Sequence, residues 1–186
     1  MSNTNYRQLR DFSAQFGCIV GLMWIASFTF YIIGLTHPLA GNISLLLGLL
    51  SVGTAGMLVR KFRIEVQPLR FGRAWWMSAL IFMYASILMA VAQFIYFRYI
   101  DNGLLVDTYS SLMQQPEYIK LMQDMVPGQD AQEIIRQTLD LLRSISPIEL
   151  TFEFLIYNIL FGFLLALPAA WIGLTGKNRT VPSQNH

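Results

Sequence analysis

From Phe12 to Val59 the chain carries no Asp, Glu, Lys or Arg. A soluble helix keeps one polar face in water, and a charge-free run of this length cannot supply such a face to each of its helices. The run restricts the chain to segments buried on all sides, and a lipid bilayer is the solvent that accepts them. Composition agrees. Of the 186 residues 54% are apolar and 13% charged, against roughly a quarter charged in soluble domains. The formal net charge of +2 gives no footing for nucleic acid.

A bilayer core is crossed by about 20 apolar helical residues, and four segments meet that requirement: residues 12–35, 39–59, 74–97 and 148–174. The first two are joined by the tight THPLAG turn. The apolar run behind MSNTNYRQLRDF is too long for a signal-peptide core, and reads as a retained signal-anchor helix. Ser146, Pro147 and Glu149 read as a capped start to the fourth span, with Pro147 at its first helical position and Glu149 closing a capping box. Pro168 is expected to kink that span.

Between the third and fourth spans lies an outer helical segment, about residues 101–147, broken at Pro116 and at Pro127-Gly128. Over Asp130 to Ile145 the residues Ile134, Ile135, Leu139, Leu142 and Ile145 share one helical face, opposite Asp130, Glu133, Gln137 and Asp140. An earlier short helix over Tyr118 to Met125 places Ile119, Met122 and Met125 on one side. Without a basic polar face these helices suit a cap better than an anionic-lipid surface. The expected fold is all-α: an integral membrane four-helix bundle with an outer amphipathic helical segment, forming one domain over residues 1–186.

Basic residues set the orientation. Arg7 and Arg10, the cluster Arg60, Lys61, Arg63, Arg70 and Arg73, and Lys177 and Arg179 all fall on one side of four spans, against two acids, Asp11 and Glu65. The opposite side carries Arg98, Lys120, Arg136 and Arg143 among seven acids. Both termini are therefore expected in the cytoplasm, in a multi-pass protein of the bacterial cytoplasmic (inner) membrane. Trp75, Trp76, Tyr96, Tyr99 and Trp171 stand at span edges, where an apolar ring with a polar tip is favoured. The basic cluster serves first as this topological signal, with Arg60, Lys61, Arg63, Arg70 and Arg73 as candidate contacts to anionic lipid headgroups.

Small residues recur at helical spacing: Gly17 and Gly21; then Gly41, Ser44, Gly48, Ser51 and Ala55; then Asn158, Gly162, Ala166, Ala170 and Gly173. Such stripes let helices approach closely in lipid. They are expected to close the bundle, with self-association through Gly17/Gly21 or the stripes as the alternative. No P-loop, nucleophile elbow or zinc-binding H-E-x-x-H occurs, Cys18 is the lone cysteine, and only His37 and His186 could offer imidazole. No catalytic residue, metal site or cofactor is expected. Ionisable and polar groups at membrane depth remain: Glu153 is expected to pair with Arg98, and Arg98, Glu153, Asn158 and Gln93, with Tyr157 beside them, are candidates for a polar cavity. Gln15 and Gln93 also suit interhelical hydrogen bonds.

The stretch LRFGRAWWMSALIFMYASILMAVAQFIYFRYIDNGLL, with the earlier GCIVG and the closing GFLLALPAAWIGL, resembles the bacterial family known as domain of unknown function 4199. The resemblance runs from about Arg10 to Lys177. It implies a small four-span membrane protein and transfers no catalytic residue. It also implies genes that lie near one for a polyprenyl-phosphate glycosyltransferase of the dolichol-phosphate-mannose synthase type, and with that a membrane partner or a lipid-linked-sugar handler. The expected function is a non-enzymatic accessory or interaction subunit in contact with membrane lipids. An oligomeric carrier or flippase for a small or lipid-linked solute, using Glu153, Arg98 and Asn158, is the alternative.

Overall fold

A computed structural model describes residues 3–128 and 130–175, with side chains from Tyr6 onward. Lys177, Arg179 and His186 lie outside the described residues. Among those described there are seven helices and no strand: α1 (Asn3–Gly34), α2 (Pro38–Glu65), α3 (Phe71–Tyr99), α4 (Leu104–Met113), α5 (Pro116–Met125), α6 (Ala131–Ser144) and α7 (Pro147–Leu174). Four of them, α1, α2, α3 and α7, are long and apolar enough to cross a membrane. The helices gather into two compact units. The first takes the chain up to Val91 and from Phe154 onward, and the second spans Ala92–Glu153.

Two of the long helices outrun the expected spans. α1 begins at Asn3, well before Phe12, and α2 continues past Val59 to Glu65. Nothing between Val59 and Glu65 breaks a helix, and cations in a last turn are favoured by the helix dipole. The first obstacle is Pro68, which disfavours helical geometry at Gln67. Arg60, Lys61 and Arg63 therefore sit on helix, and the connection shrinks to Val66–Arg70.

In the first unit the helices meet where a side chain is missing. A β-carbon on Gly17 would lie 2.5 Å from Cβ of Tyr84, and one on Gly21 would lie 2.9 Å from Cδ2 of Leu88. The G-x-x-x-G pair of α1 is therefore filled by α3. Gly162 is filled by Phe82, Gly56 by Ile172 and Gly173 by Val59, at 2.9, 2.6 and 2.7 Å. These approaches bring α7 onto α3 and α2. Around them pack Val20, Val59, Phe62, Met77, Ile81 and Phe82, all fully buried.

Hydrogen bonds between helices add register to this packing. Trp24 Nε1 donates to Ser51 Oγ at 2.9 Å, and Ser51 Oγ donates onward to the Gly48 carbonyl at 2.6 Å. One turn up the hairpin, Ser27 Oγ donates to the Ser44 carbonyl at 2.9 Å. The Trp24 ring stacks on Phe82 with centroids 5.7 Å apart. In lipid such bonds are worth on the order of 0.6–2 kcal/mol each. They fix which residues face each other.

The second unit is built from short helices with strong stop signals. Gly103, at φ +90, turns the chain into α4, and Asp101 Oδ1 accepts from Tyr96 Oη at 3.1 Å and from the Leu105 amide at 3.2 Å. α4 was not separately expected. α5 starts with Pro116 and ends before Pro127-Gly128, as the breaks require. Asp130 caps α6 by accepting from the Gln132 amide at 2.9 Å. α6 buries Ala131, Ile135 and Leu139, whereas Ile145 falls just past its end and is exposed. The predicted capping box forms: the Ser146 amide and hydroxyl donate to Glu149 Oε2 at 2.8 and 2.6 Å. α7 passes through Pro168 without interruption, a proline tolerance common in apolar spans.

Gly17→Ala should destabilise the protein by roughly 1–3 kcal/mol, because the added methyl overpacks a contact made partly by backbone. Gly53→Ala, where the same methyl meets nothing within 4 Å, should change stability by less than about 0.5 kcal/mol. Equilibrium unfolding in mixed detergent micelles compares the two directly.

Candidate functional site

At one end of the first unit three chain segments converge. The rings of Phe12 on α1 and Phe62 on α2 meet edge to face at 5.2 Å, and Arg63 Nη1 donates to the Leu174 carbonyl, the last of α7, at 2.5 Å. A helix ends with carbonyls that lack partners and carry partial negative charge. Arg63 answers both needs from a neighbouring helix. Arg73 Nη2 donates to Gln67 Oε1 at 3.2 Å and so closes the α2–α3 connection. Of the basic cluster, Arg60, Lys61 and Arg70 point outward and are exposed, as are Arg7 and Arg10. Phe71 and Trp76 are exposed beside them. The five residues of the predicted cluster thus divide into two with internal hydrogen bonds and three open to their surroundings.

The predicted polar residues at membrane depth are distributed over both units. Gln93, Arg98 and Glu153 belong to the second, and Asn158 to the first. Gln93 is 2% exposed and its Oε1 has no hydrogen-bond partner among the described residues; the same holds for Asn158 Nδ2. Arg98, Glu153 and Tyr157 are exposed. No ion pair joins Arg98 to Glu153 among the described residues, where the pair found is Arg10 with Asp11 at 3.7 Å. Gln15 is likewise exposed.

A feature that the sequence did not announce lies wholly within the second unit. A cleft of about 360 Å³ runs beside α6, which contributes Gln132, Ile135, Arg136, Leu139, Asp140 and Arg143. Met113 and Gln114, at the end of α4, and Ile119 of α5 form the facing wall. Its size falls within the range of small-molecule sites. The signal was present in the spacing. Arg136 and Arg143 are seven residues apart, so they line up along one border of the apolar face. Reading the polar side of α6 as simply acidic concealed that border. Among the described residues, no group of three or more His, Cys, Asp and Glu side chains is placed to hold a metal ion.

Four long apolar helices, their polar side chains turned largely to internal hydrogen bonds, define a multi-span α-helical membrane protein. The chain belongs to the family described as Protein of unknown function (DUF4199), whose sequence model matches residues 15–173. No curated protein matches the chain, and no solved structure does.

Arg63→Gln should lower stability by about 1.5–3 kcal/mol, the range for a hydrogen bond to a charged group. Arg60→Gln, on an exposed side chain, should cost less than about 0.5 kcal/mol. Thermal unfolding followed by helical circular dichroism separates these outcomes.

Proposed function

We propose that this protein is a non-enzymatic accessory subunit of the bacterial cytoplasmic membrane, with its N- and C-termini in the cytoplasm, and that it receives a span of another membrane protein on the outer half of α2. One observation carries this reading. Gly41, Gly48 and Val59 stand seven and eleven residues apart, which places them along one strip of the helix. At Val59 the strip packs against Gly173 of α7, whereas β-carbons on Gly41 and Gly48 would meet nothing within 4 Å. Around them Leu45, Leu46, Leu49 and Leu50 are exposed.

Close approach at glycine is what apolar helices use to associate when both faces are equally at home in lipid. Every other glycine of this kind in α1 and α7 is already filled from within, including Gly17 and Gly21. The open strip on α2 is left for a partner. The orientation is supported by the basic residue balance and by the meeting of the α1 start, the α2 end and the α7 end at one pole of the first unit. The family resemblance points to a polyprenyl-phosphate glycosyltransferase as the partner.

Gly41→Leu with Gly48→Leu tests the reading, because neither side chain meets an internal neighbour. The double variant should insert and unfold like the parent, yet a photo-crosslinking residue at the exposed Leu45 position should lose its adduct to one discrete membrane protein. A loss of tenfold or more corresponds to about 1.4 kcal/mol of association. Adducts to lipid alone in the parent, or a protein adduct indifferent to both leucines, would end the proposal.

A further inference from the structure

α5 and α6 carry more apolar surface than their own packing uses. α6 buries Ala131, Ile135 and Leu139, and on α5 Ile119 and Met122 are half-buried. Leu121, Met125 and Leu141 are left 53, 68 and 66% exposed. A helix turns by about 100° per residue. Relative to the packed face of its helix, each of Leu121, Met125, Ile134 and Leu141 lies roughly 90–130° round, all in the same rotational sense.

α5 ends at Met125 and α6 starts at Ala131, so the chain turns back over a short connection. Ile119, early in α5, lines a cleft whose α6 wall extends to Arg143, and the two helices therefore run in roughly opposite directions. Reversing one helix of a pair mirrors its rotational sense, so the two exposed flanks fall on one side of the hairpin. The same reckoning puts Lys120, Gln132, Arg136 and Arg143, all exposed, on the other side. The hairpin is two-sided, as an amphipathic element at a lipid surface is.

The course of the chain indicates what covers the apolar side. α6 ends at Ser144 and α7, long and apolar enough to cross a membrane, begins at Pro147, a reach of at most about 11 Å. Across that junction the exposed apolar residues continue at helical spacing: Leu141, Ile145, Ile148 and Phe152. Ile148 and Phe152 belong to the candidate span, and all four lie in the second unit. The flank thus leads directly into a surface suited to lipid. On α5 the acids Glu117 and Asp124 outnumber Lys120, so apolar area rather than attraction to anionic headgroups supplies the affinity.

We propose that the α5–α6 hairpin lies on the lipid surface at the membrane face where α3 ends and α7 begins. Leu121, Met125, Leu141 and Ile145 enter the acyl boundary of an electrically neutral bilayer, and Arg136 and Arg143 stay in water. Packing between the helices accounts for Ile135 and Leu139, and lipid accounts for the flank that packing leaves open. This surface shares no residue with the strip on α2.

The test uses the full chain with Cys18→Ser, reconstituted in phosphatidylcholine nanodiscs and spin-labelled at one introduced cysteine at a time. Collision rates are measured with oxygen, which concentrates in lipid, and with a nickel chelate, which stays in water. Labels at Met125→Cys and Leu141→Cys should give an oxygen-to-nickel ratio several-fold above those at Lys120→Cys and Arg136→Cys, and a depth of about 5–10 Å. High salt should leave that ratio unchanged. Leu121→Gln with Ile145→Gln should bring it down toward the Arg136→Cys value at unchanged helicity. The proposal is overturned by equal ratios on the two sides, which would place the flank in water, or by a ratio that collapses in high salt. Low collision rates with both reagents at Met125→Cys and Leu141→Cys would also overturn it, since they mark a protein cover. Dipolar broadening that vanishes on dilution with unlabelled chain would identify that cover as a second copy, and its absence would identify a cap on the bundle.

Discussion

The helices of the first unit meet at glycines, where a neighbour occupies the space that a side chain would fill. In lipid there is no hydrophobic gain from pressing one apolar helix against another, so association rests on dispersion contacts and hydrogen bonds at short range. Gly17 against Tyr84 and Gly56 against Ile172 provide that range. The buried residues Val20, Ile81 and Phe82 then occupy positions those approaches dictate. The Trp24–Ser51–Gly48 chain of hydrogen bonds works at the same interface. A serine hydroxyl that donates to its own helix while accepting from the next leaves no polar group unanswered, which matters most where water is absent. Close approach and polar satisfaction are thus two parts of one solution.

Much of this was legible from residues, and for identifiable reasons. The span count followed from four apolar segments of bilayer-crossing length, the breaks followed from Pro116 and Pro127-Gly128, and the start of α7 followed from Ser146, Pro147 and Glu149. Each is a local rule, satisfied within a few residues of chain. The extension of α2 to Glu65 was missed because hydropathy ends at Val59 while helical geometry does not. The role of Arg63 was not readable at all. Its partner, the carbonyl of Leu174, is far along the chain, and no pattern near Arg63 distinguishes it from Arg60. Among the small-residue stripes the sequence could name the positions but not sort them. Gly162 and Gly173 are filled, and Gly41 and Gly48 are open, although all four sit in the same kind of apolar setting.

The polar residues teach a related lesson. Depth in an apolar segment made Arg98, Glu153, Asn158 and Gln93 appear to be one set. Two of them, Arg98 and Glu153, are exposed, and the other two carry buried amide atoms without partners among the described residues. A shared depth along the sequence says nothing about a shared face. The cleft beside α6 shows the converse: its arginines are ordinary surface residues by sequence, brought into a common border by a seven-residue spacing and given a facing wall by α4 and α5.

The division of arginines follows from the same physics. An arginine whose guanidinium reaches a helix end is held by an oriented array of carbonyl dipoles, and its charge is spent on structure. Arg63 is in that position. Arg60, Lys61 and Arg70 have only solvent or lipid headgroups to meet, and each gains about 1 kcal/mol near an anionic membrane surface. The VRKFRIEVQPLRFGRAWW stretch therefore holds two kinds of basic residue in one run of sequence. Its inward members tie α7 to α2 and close the α2–α3 turn, and its outward members are exposed. Substituting the cluster as a block would mix a folding defect with the loss of exposed charge. Only the exposed members, changed by themselves, isolate the electrostatic contribution.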